Sequence, residues 1–270
     1  MGAVHLSVSD LGRSIAYYES VIGLRVHSRD GDRAALGTGG EDLLVLTERL
    51  GARPATGFCG LFHFALLLPE RADLARFLIH AATEQVPLTG LSDHFVSEAI
   101  YLRDPDAHGI EIYWDRPREL WEGQVAQRLT TQALDTRDLV RGVEASGFDG
   151  LARGTVMGHV HLRVADVPAT NAFYAGVLGF GVMAAMGDQA TFLSAGGYHH
   201  HLGGNIWESA ARPPAPADTA RLERATIVLP DAAALNRVAE QAERAGFVPE
   251  PLEGGVGLRD PSGNPVALVT

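Results

Sequence analysis

Two stretches of this chain occur twice, the first of them at a constant offset of 156 residues. Residues 4–18 (VHLSVSDLGRSIAYY) return as residues 160–174 (VHLRVADVPATNAFY), and residues 61–78 resemble residues 222–239 in the same way. A unit repeated at this length indicates structural modules that bury too little surface alone and must pack on one another. The chain is therefore predicted to contain four modules in the order a-b-a′-b′.

Each module has the pattern of a strand, a helix and several further strands. The modules lie at 1–50, 60–114, 157–208 and 222–270. This pattern predicts an α+β fold in which four βαβββ modules pair into two curved-sheet barrels. Along the chain, 1–114 forms an N-terminal pair of modules and 157–270 a C-terminal pair. Segment 115–156 is charged, has a helical pattern and is predicted to be a helical linker.

The composition limits the function. The chain has 270 residues, 46% hydrophobic and 20% charged, with a net charge of −11, which argues against nucleic acid as a partner. The single cysteine, Cys59, excludes an internal disulfide and suits a reducing compartment. No signal peptide and no membrane-spanning apolar run is found, so a cytoplasmic location is expected.

The stretch Ser92–Trp114 carries most of the chemical information. It reads as two β-strands joined by a turn at residues 104–109, where Asp-Pro is followed by Gly. Glu111 lies between two isoleucines at the centre of the second strand, where burial of a lone carboxylate would be costly. On the ribbon alone, Glu111 either faces solvent on an edge strand or serves a function. His94 and Tyr101 lie on the same ribbon.

These features resemble the vicinal-oxygen-chelate superfamily, which includes glyoxalase I, bleomycin-resistance proteins and extradiol dioxygenases. The resemblance rests on the βαβββ modules, with His on first strands and Glu on a last strand. The ribbon resembles the extradiol signature in His94, Ile100-Tyr101, Asp104-Pro105 and Glu111. It departs from that signature in the turn, at Ala107, and at Ser92. The chain is most similar to the catechol 2,3-dioxygenase subgroup.

The resemblance implies a set of site residues. The implied metal ligands are His63, Glu111 and His159, and the implied catalytic residues are His200, His94 and Tyr101. The fourth module has Arg224 and Ala267 where the second has His63 and Glu111, so it has lost both ligands. His161 shares the register of His5 and is at least as plausibly a repeated structural residue as a ligand. His27, His80 and His108 are expected at the surface.

The implied ligands come from the second and third modules. We therefore expect these two modules to face each other across one metal site, while the first and fourth form an inactive barrel. A competing arrangement pairs the first module with the second and uses His5 as the third ligand. The register favours His159, and it favours His200 over its neighbours His199 and His201, although the sequence leaves that last choice open.

Two histidines and one carboxylate on one face are typical of non-haem Fe(II) oxygenases, with Mn(II) as an alternative metal. The resemblance thus implies cleavage of catechol or a substituted catechol by O₂, giving a hydroxymuconic semialdehyde. Two other functions stay open: a metal-dependent glyoxalase-type isomerase or lyase, and a metal-free small-molecule-binding protein of the antibiotic-resistance type. Sheet edges left by such modules also suggest a homo-oligomer.

Overall fold

The computed structural model describes residues 1–144 and 147–270. Within them the chain forms one sheet of eight strands, one of nine strands and one small two-stranded sheet. One helix follows the first strand of each module, and among the described residues two four-residue helices lie in the segment between the halves. The prediction of an α+β fold built from four βαβββ modules in two curved sheets is confirmed.

The first two modules each run strand, helix and three strands. The first contains β1 (Val4–Val8), α1 (Leu11–Tyr17), β2 (Arg25–Asp30), β3 (Arg33–Gly37) and β4 (Asp42–Glu48), with a π-helical turn at Tyr18–Ile22. A short strand follows, β5 (Arg53–Pro54). The second module contains β6 (Gly60–Leu67), α2 (Arg71–Thr83), β7 (Leu88–Asp93), β8 (Ser97–Arg103) and β9 (Gly109–Asp115).

The segment between the halves contains short elements. They are a 3₁₀ turn (Arg118–Leu120), α3 (Val125–Arg128), β10 (Gln132–Ala133) and α4 (Thr136–Leu139). Strand β10 pairs with β7 and so extends the nine-stranded sheet. Residues 145 and 146 of the predicted linker lie outside the described residues. The division of the chain at 1–114, 115–156 and 157–270 stays a prediction.

The last two modules repeat the plan of the first two. The third contains β11 (Val156–Arg163), α5 (Val167–Tyr174), β12 (Gly181–Ala185), β13 (Ala190–Ser194) and β14 (Leu202–Asn205). After β15 (Thr219–Ala220), the fourth contains β16 (Leu222–Val228), α6 (Ala232–Arg244), β17 (Glu250–Leu252), β18 (Gly255–Arg259) and β19 (Pro265–Val269). Strands β5 and β15 form the two-stranded sheet.

Each large sheet takes one module from each half of the chain. Antiparallel pairing of β6 with β11 joins the second module to the third, and pairing of β1 with β16 joins the first to the fourth. This is the module pairing that the registers of the implied ligands predict. The competing arrangement, with the first module against the second, is not the one found.

Local sequence explains where the helices begin and end. Asp10 and Asp166 precede the first helix of each half, and each side chain accepts a hydrogen bond from the backbone N–H three residues later. Gly23 ends the first of these segments with φ of +85°, a conformation that costs other residues more. The apolar residues spaced i, i+4, i+7 and i+11 along this segment, one face of a helix, are all buried: Leu11, Ile15, Tyr18 and Ile22.

Most of the apolar core lies in one continuous cluster that both sheets share. One surface prediction is wrong here, because His108 is buried and its Nε2 donates to the backbone oxygen of Ser7. That contact ties the turn before β9 to β1 of the other sheet, which the local sequence of a turn does not reveal. No helix among residues 1–144 and 147–270 is both long enough and apolar enough to cross a membrane.

Candidate active site

Three neighbouring strands bring His63, Glu111 and His159 together. Strand β6 runs between β9 and β11, and its residue Ala65 pairs with Glu111 on one side and with His159 on the other. His63 lies two residues before Ala65 on β6. Residues two apart on a strand share a face, and paired residues on adjacent strands share a face too. The three side chains therefore project from the same face of the nine-stranded sheet.

The three side chains converge on the Glu111 carboxylate. Its Oε2 lies 2.9 Å from His63 Nε2 and 3.0 Å from His159 Nε2. One candidate ligand atom from each residue lies within 4.8 Å of the other two. Glu111 is only 2% exposed, which excludes the alternative that it faces solvent on an edge strand.

This donor set fits a divalent metal ion. The Nε2 atom of His63 is buried and makes no hydrogen bond among the described residues, although Glu111 Oε2 is 2.9 Å away. Its ring nitrogen therefore does not point at the carboxylate oxygen, as a hydrogen-bonding N–H would. A buried orphan nitrogen beside a carboxylate and a second imidazole is the environment expected of metal ligands.

The ionisation states also suit metal binding. Burial alone would raise the pKa of Glu111, but His159 and His63 outweigh burial and hold it well below its usual value. Burial lowers the pKa of His159 despite the attraction of Glu111. Near neutral pH the cluster therefore offers a carboxylate and a neutral His159, which are the forms that ligate metals.

His94 and Tyr101 form a hydrogen-bonded pair next to the cluster. Tyr101 pairs with Glu111 across β8 and β9, so both side chains lie on the same face. His94 Nδ1 lies 2.7 Å from the backbone oxygen of Thr130, which can only accept, and His94 Nε2 lies 2.7 Å from the Tyr101 hydroxyl. In the neutral ring Nδ1 therefore donates to Thr130 and Nε2 accepts from Tyr101. Burial, and then Glu111, raise the pKa of Tyr101 well above its usual value.

His200 is the member of the His199–His201 run that reaches the cavity. Its ring packs on that of His159, with centroids 4.1 Å apart, and it lines the same cavity as His63 and Glu111. Burial, and then His159 and His199, lower the pKa of His200 well below its usual value. A neutral imidazole at this place can accept a proton from a bound molecule. His199 is fully buried, and His201 Nδ1 accepts instead from the backbone N–H of Ala195.

The cavity in front of the cluster has a volume of about 710 Å³. His63, His94, Tyr101, Glu111 and His200 all contribute to its lining, whereas His159 does not. Apolar side chains also line the cavity, and they include Phe62, Leu129, Ala184, Met186, Phe192 and Trp207. A concave, mostly apolar site with a few convergent polar groups is typical of small-molecule sites.

His161 is a residue whose position the sequence left open between structure and ligation. It is buried, its ring lies 5.1 Å from the ring of His63, and its Nε2 makes no hydrogen bond among the described residues. His5, the competing third ligand, lies in the other sheet, where its ring nitrogens lie 3.2 and 2.9 Å from Arg224 Nη2. The structure therefore brings His159, and not His5, to Glu111.

Sequence reasoning missed two residues behind His200. His199 and Asp115 hydrogen-bond to each other, and Asp115 lies four residues after Glu111 on β9. Positions i and i+4 of a strand share a face, so this spacing could have identified Asp115 as a neighbour of the site. No sequence pattern indicates that the ring of His199 turns towards it.

Comparison with known proteins gives one consistent family. The model of the glyoxalase/bleomycin resistance protein/dioxygenase superfamily matches residues 1–112 and 156–268. A protein of Bacillus subtilis (strain 168) named catechol-2,3-dioxygenase is 38% identical over 269 residues, which cover 97% of this chain and 93% of that protein.

Solved structures agree on the fold. Glyoxalase I of Zea mays has a TM-score of 0.62 at 19% identity, with 100% of this chain and 91% of the maize chain covered. A structure described as a putative dioxygenase from Bacillus subtilis has a TM-score of 0.65 at 15% identity, with 99% of this chain and 85% of that chain covered. At such identities these likenesses concern the fold alone.

Proposed function

Because this chain belongs to the glyoxalase/bleomycin resistance protein/dioxygenase superfamily, we propose that it is an extradiol dioxygenase that cleaves catechol or a substituted catechol with O₂. One observation carries the proposal above all. Two histidines and one carboxylate converge in a buried cluster beside a cavity that His94, Tyr101 and His200 line. The 38% identity to a catechol-2,3-dioxygenase favours this activity over the glyoxalase-type and metal-free alternatives.

In this proposal His63, Glu111 and His159 hold Fe(II), or Mn(II) in its place. When bound, such an ion supplies open coordination positions at which both catechol oxygens and O₂ can be held side by side. The protein supplies the rest. The two neutral imidazoles and the carboxylate balance one of the metal's two charges, and the apolar walls exclude water from the reacting ring.

The remaining polar residues handle protons and orientation. His200 accepts a proton from a catechol hydroxyl and later returns it to the ring-opened product. His94 and Tyr101, already hydrogen-bonded to each other at 2.7 Å, orient the substrate oxygens. Both atoms of O₂ enter the product, a hydroxymuconic semialdehyde, so the reaction needs no external electron donor.

The cavity also favours substituted catechols. Its volume of about 710 Å³ is within the range of sites for drug-sized ligands and exceeds what a single ring needs. Phe62, Phe192 and Trp207 line it and give it a large aromatic surface beside the histidines. We therefore expect catechols with an apolar substituent to have a lower KM than catechol itself.

The test combines metal content with oxygen uptake. The wild type and the variants Glu111→Gln, His159→Ala and His5→Gln are purified anaerobically and loaded with Fe(II), and iron content and catechol-dependent O₂ uptake are measured. We expect Glu111→Gln and His159→Ala to lose iron and at least about 10²-fold in activity, as loss of a ligand should cause. His5→Gln is the matched control and should retain both.

Each contrary result has a distinct meaning. If iron-loaded wild type consumes no O₂ with any catechol, ring cleavage is wrong and the glyoxalase-type reaction becomes the leading alternative. If the wild type binds no divalent metal, the metal-free binding function is favoured instead. If His5→Gln loses iron while His159→Ala keeps it, the ligand set is wrong.

A further inference from the structure

Two hydrogen bonds in series connect His200 Nδ1 to the Asp115 carboxylate through the ring of His199. His200 Nδ1 lies 2.8 Å from His199 Nδ1, and His199 Nε2 lies 2.8 Å from Asp115 Oδ1. His199 is fully buried and does not reach the cavity. It therefore cannot touch a substrate, yet both of its ring nitrogens have partners.

The Asp115 carboxylate at the end of this series of hydrogen bonds determines which ring nitrogens of His199 and His200 carry a hydrogen. A carboxylate oxygen can only accept, so His199 Nε2 must carry a hydrogen and donate to Asp115. In a neutral ring the other nitrogen then has a lone pair, so His199 Nδ1 must accept. His200 Nδ1 is consequently the donor of the 2.8 Å contact between the two rings. The neutral His200 ring then carries its lone pair on Nε2.

Several contacts hold Asp115 and His199 in place. The Tyr198 hydroxyl donates to Asp115 Oδ2 at 2.7 Å, and the Tyr113 hydroxyl lies 2.9 Å from that of Tyr198. The ring of Tyr198 packs on His199 at 4.0 Å between centroids, and Trp121 packs edge-on at 5.5 Å. Both carboxylate oxygens of Asp115 thus have donors, and the His199 ring is held in one orientation.

We propose that Asp115 and His199 are positioning residues that fix His200 in the Nδ1–H tautomer and so present Nε2 as the base in the cavity. His200 Nε2 has no protein partner among residues 1–144 and 147–270. This deepens the proposed function and rests on it for the identity of the proton donor, a catechol hydroxyl.

The proposed proton transfer is balanced. The catechol O–H bond breaks as the His200 Nε2–H bond forms, and no electrons leave the substrate in this step. The positive charge that appears on His200 is stabilised because its Nδ1–H already donates to His199, which in turn donates to the Asp115 carboxylate. The same proton leaves Nε2 for the ring-opened product, which restores the starting tautomer.

The tautomer can be observed without any turnover. The full-length chain is labelled with ¹⁵N-histidine and loaded with Zn(II), which is diamagnetic and accepts the same N/O ligands. Two-bond ¹H–¹⁵N correlation spectra then show which nitrogen of His200 carries the proton, with the His200→Gln spectrum used for assignment. We expect a protonated Nδ1 and an unprotonated Nε2. A proton on Nε2 of His200 in the wild type would overturn the proposal.

Variants separate positioning from packing. His199→Asn keeps an oxygen that can accept from His200 Nδ1–H, whereas His199→Phe fills the space better but offers no acceptor. Asp115→Asn can present an N–H to His199 and so allows the reversed tautomer. His201→Gln is the matched control, because His201 is adjacent in sequence but its Nδ1 accepts only from Ala195 N–H.

We expect Asp115→Asn and His199→Phe to shift His200 to Nε2–H and to lower kcat by about 10²-fold or more in the iron-loaded enzyme. KM for catechol should change by less than about threefold, since the base acts in the chemical step. His199→Asn should retain more activity than His199→Phe. If His199→Phe is the more active of the two, His199 acts only by packing and the proposal is wrong.

Different results would contradict the proposed dioxygenase function and the positioning role of Asp115 and His199. If the Zn(II)-loaded wild type shows the expected His200 tautomer but the iron-loaded wild type consumes no O₂ with catechols, the proposed function is contradicted and the positioning role is left intact. An active wild type whose His200 tautomer is unchanged in Asp115→Asn and His199→Phe would contradict the positioning role alone.

Discussion

At the scale of single residues, the two large sheets differ in what occupies equivalent positions. The pairing of His161 with His63 in one sheet is repeated by the pairing of His5 with Arg224 in the other. The neighbouring strand carries Glu111 in the first sheet and Ala267 in the second. The second sheet thus keeps the backbone arrangement but replaces the carboxylate with a methyl group and one imidazole with a cation, so it offers no comparable ligand set.

His5 provides a prediction about stability and pH. Burial, and then Arg224 and Arg33, lower the pKa of His5 to about 3 from the usual 6.5. Between pH 6.5 and about 3, His5 is protonated in the unfolded chain but not in the folded chain. The free energy of unfolding therefore decreases as the pH falls through this range. The expected loss is up to about 1.4 kcal/mol per pH unit from this residue.

The measurement is the free energy of unfolding in urea at several pH values between 7 and 5. His5→Gln cannot titrate, so its stability should fall less steeply over this range than that of the wild type. Equal slopes for the two proteins would mean that His5 is protonated as easily in the folded state as in the unfolded state.

At the scale of elements, the site depends on close approach between two neighbouring strands of the third module, β11 and β14. Gly203 on β14 pairs with His161 on β11. A Cβ added at Gly203 would lie 2.6 Å from His161 Nδ1 and 2.8 Å from its Cγ. That ring is also packed between His63 and Trp207, so it has little room to move. The absence of a side chain at Gly203 therefore makes room for His161.

Gly203→Ala should destabilise the protein by about 1–3 kcal/mol, as overpacking of a core does. It should also weaken metal binding, because displacement of the His161 ring pushes on His63. Gly204→Ala is the matched control: its nearest contact would be Thr170 Cγ2 at 3.3 Å. Urea unfolding and a competition titration for metal test both effects. Equal stability and metal affinity of the two variants would contradict this account of Gly203.

At the scale of the whole molecule, neither half of the chain contains a complete sheet. Strands β6 and β1 of the first half pair with β11 and β16 of the second. Each half alone would expose two strand edges and the apolar residues that the shared core buries. Sheets built from both halves should therefore form in one cooperative unit rather than as two independent domains.

We therefore expect fragments 1–146 and 147–270 to aggregate or self-associate when expressed separately. Co-expressed, they should form a 1:1 complex with the circular dichroism spectrum of the intact chain. Size-exclusion chromatography with light scattering distinguishes these results. A folded, monomeric half would contradict the prediction. The same measurement on the intact chain tests the homo-oligomer expected from the sequence.

Local sequence patterns predicted the modules, whereas the assignment of roles to site residues rests on the family resemblance and stays a prediction. The repeated stretches, the helix-opening Asp10 and Asp166 and the alternating strands are local patterns, and the structure places modules and helices where they predict. Even the pairing of the second module with the third followed from the sequence, because His63, Glu111 and His159 complete one ligand set only if those modules meet.

The orientation of the side chains and the groups that they contact could be read only from the tertiary structure. Glu111 was equally compatible with solvent or core until its neighbours β6 and β8 were known, since a strand pattern does not specify what covers its faces. His199, His200 and His201 are consecutive, so the register favoured His200 but left open which of the three faces the site. His199 and His200 share one hydrogen bond of 2.8 Å, and a second of 2.8 Å joins His199 to Asp115, 84 residues earlier in the chain. Such geometry is set by packing between distant segments and is not encoded in any local pattern.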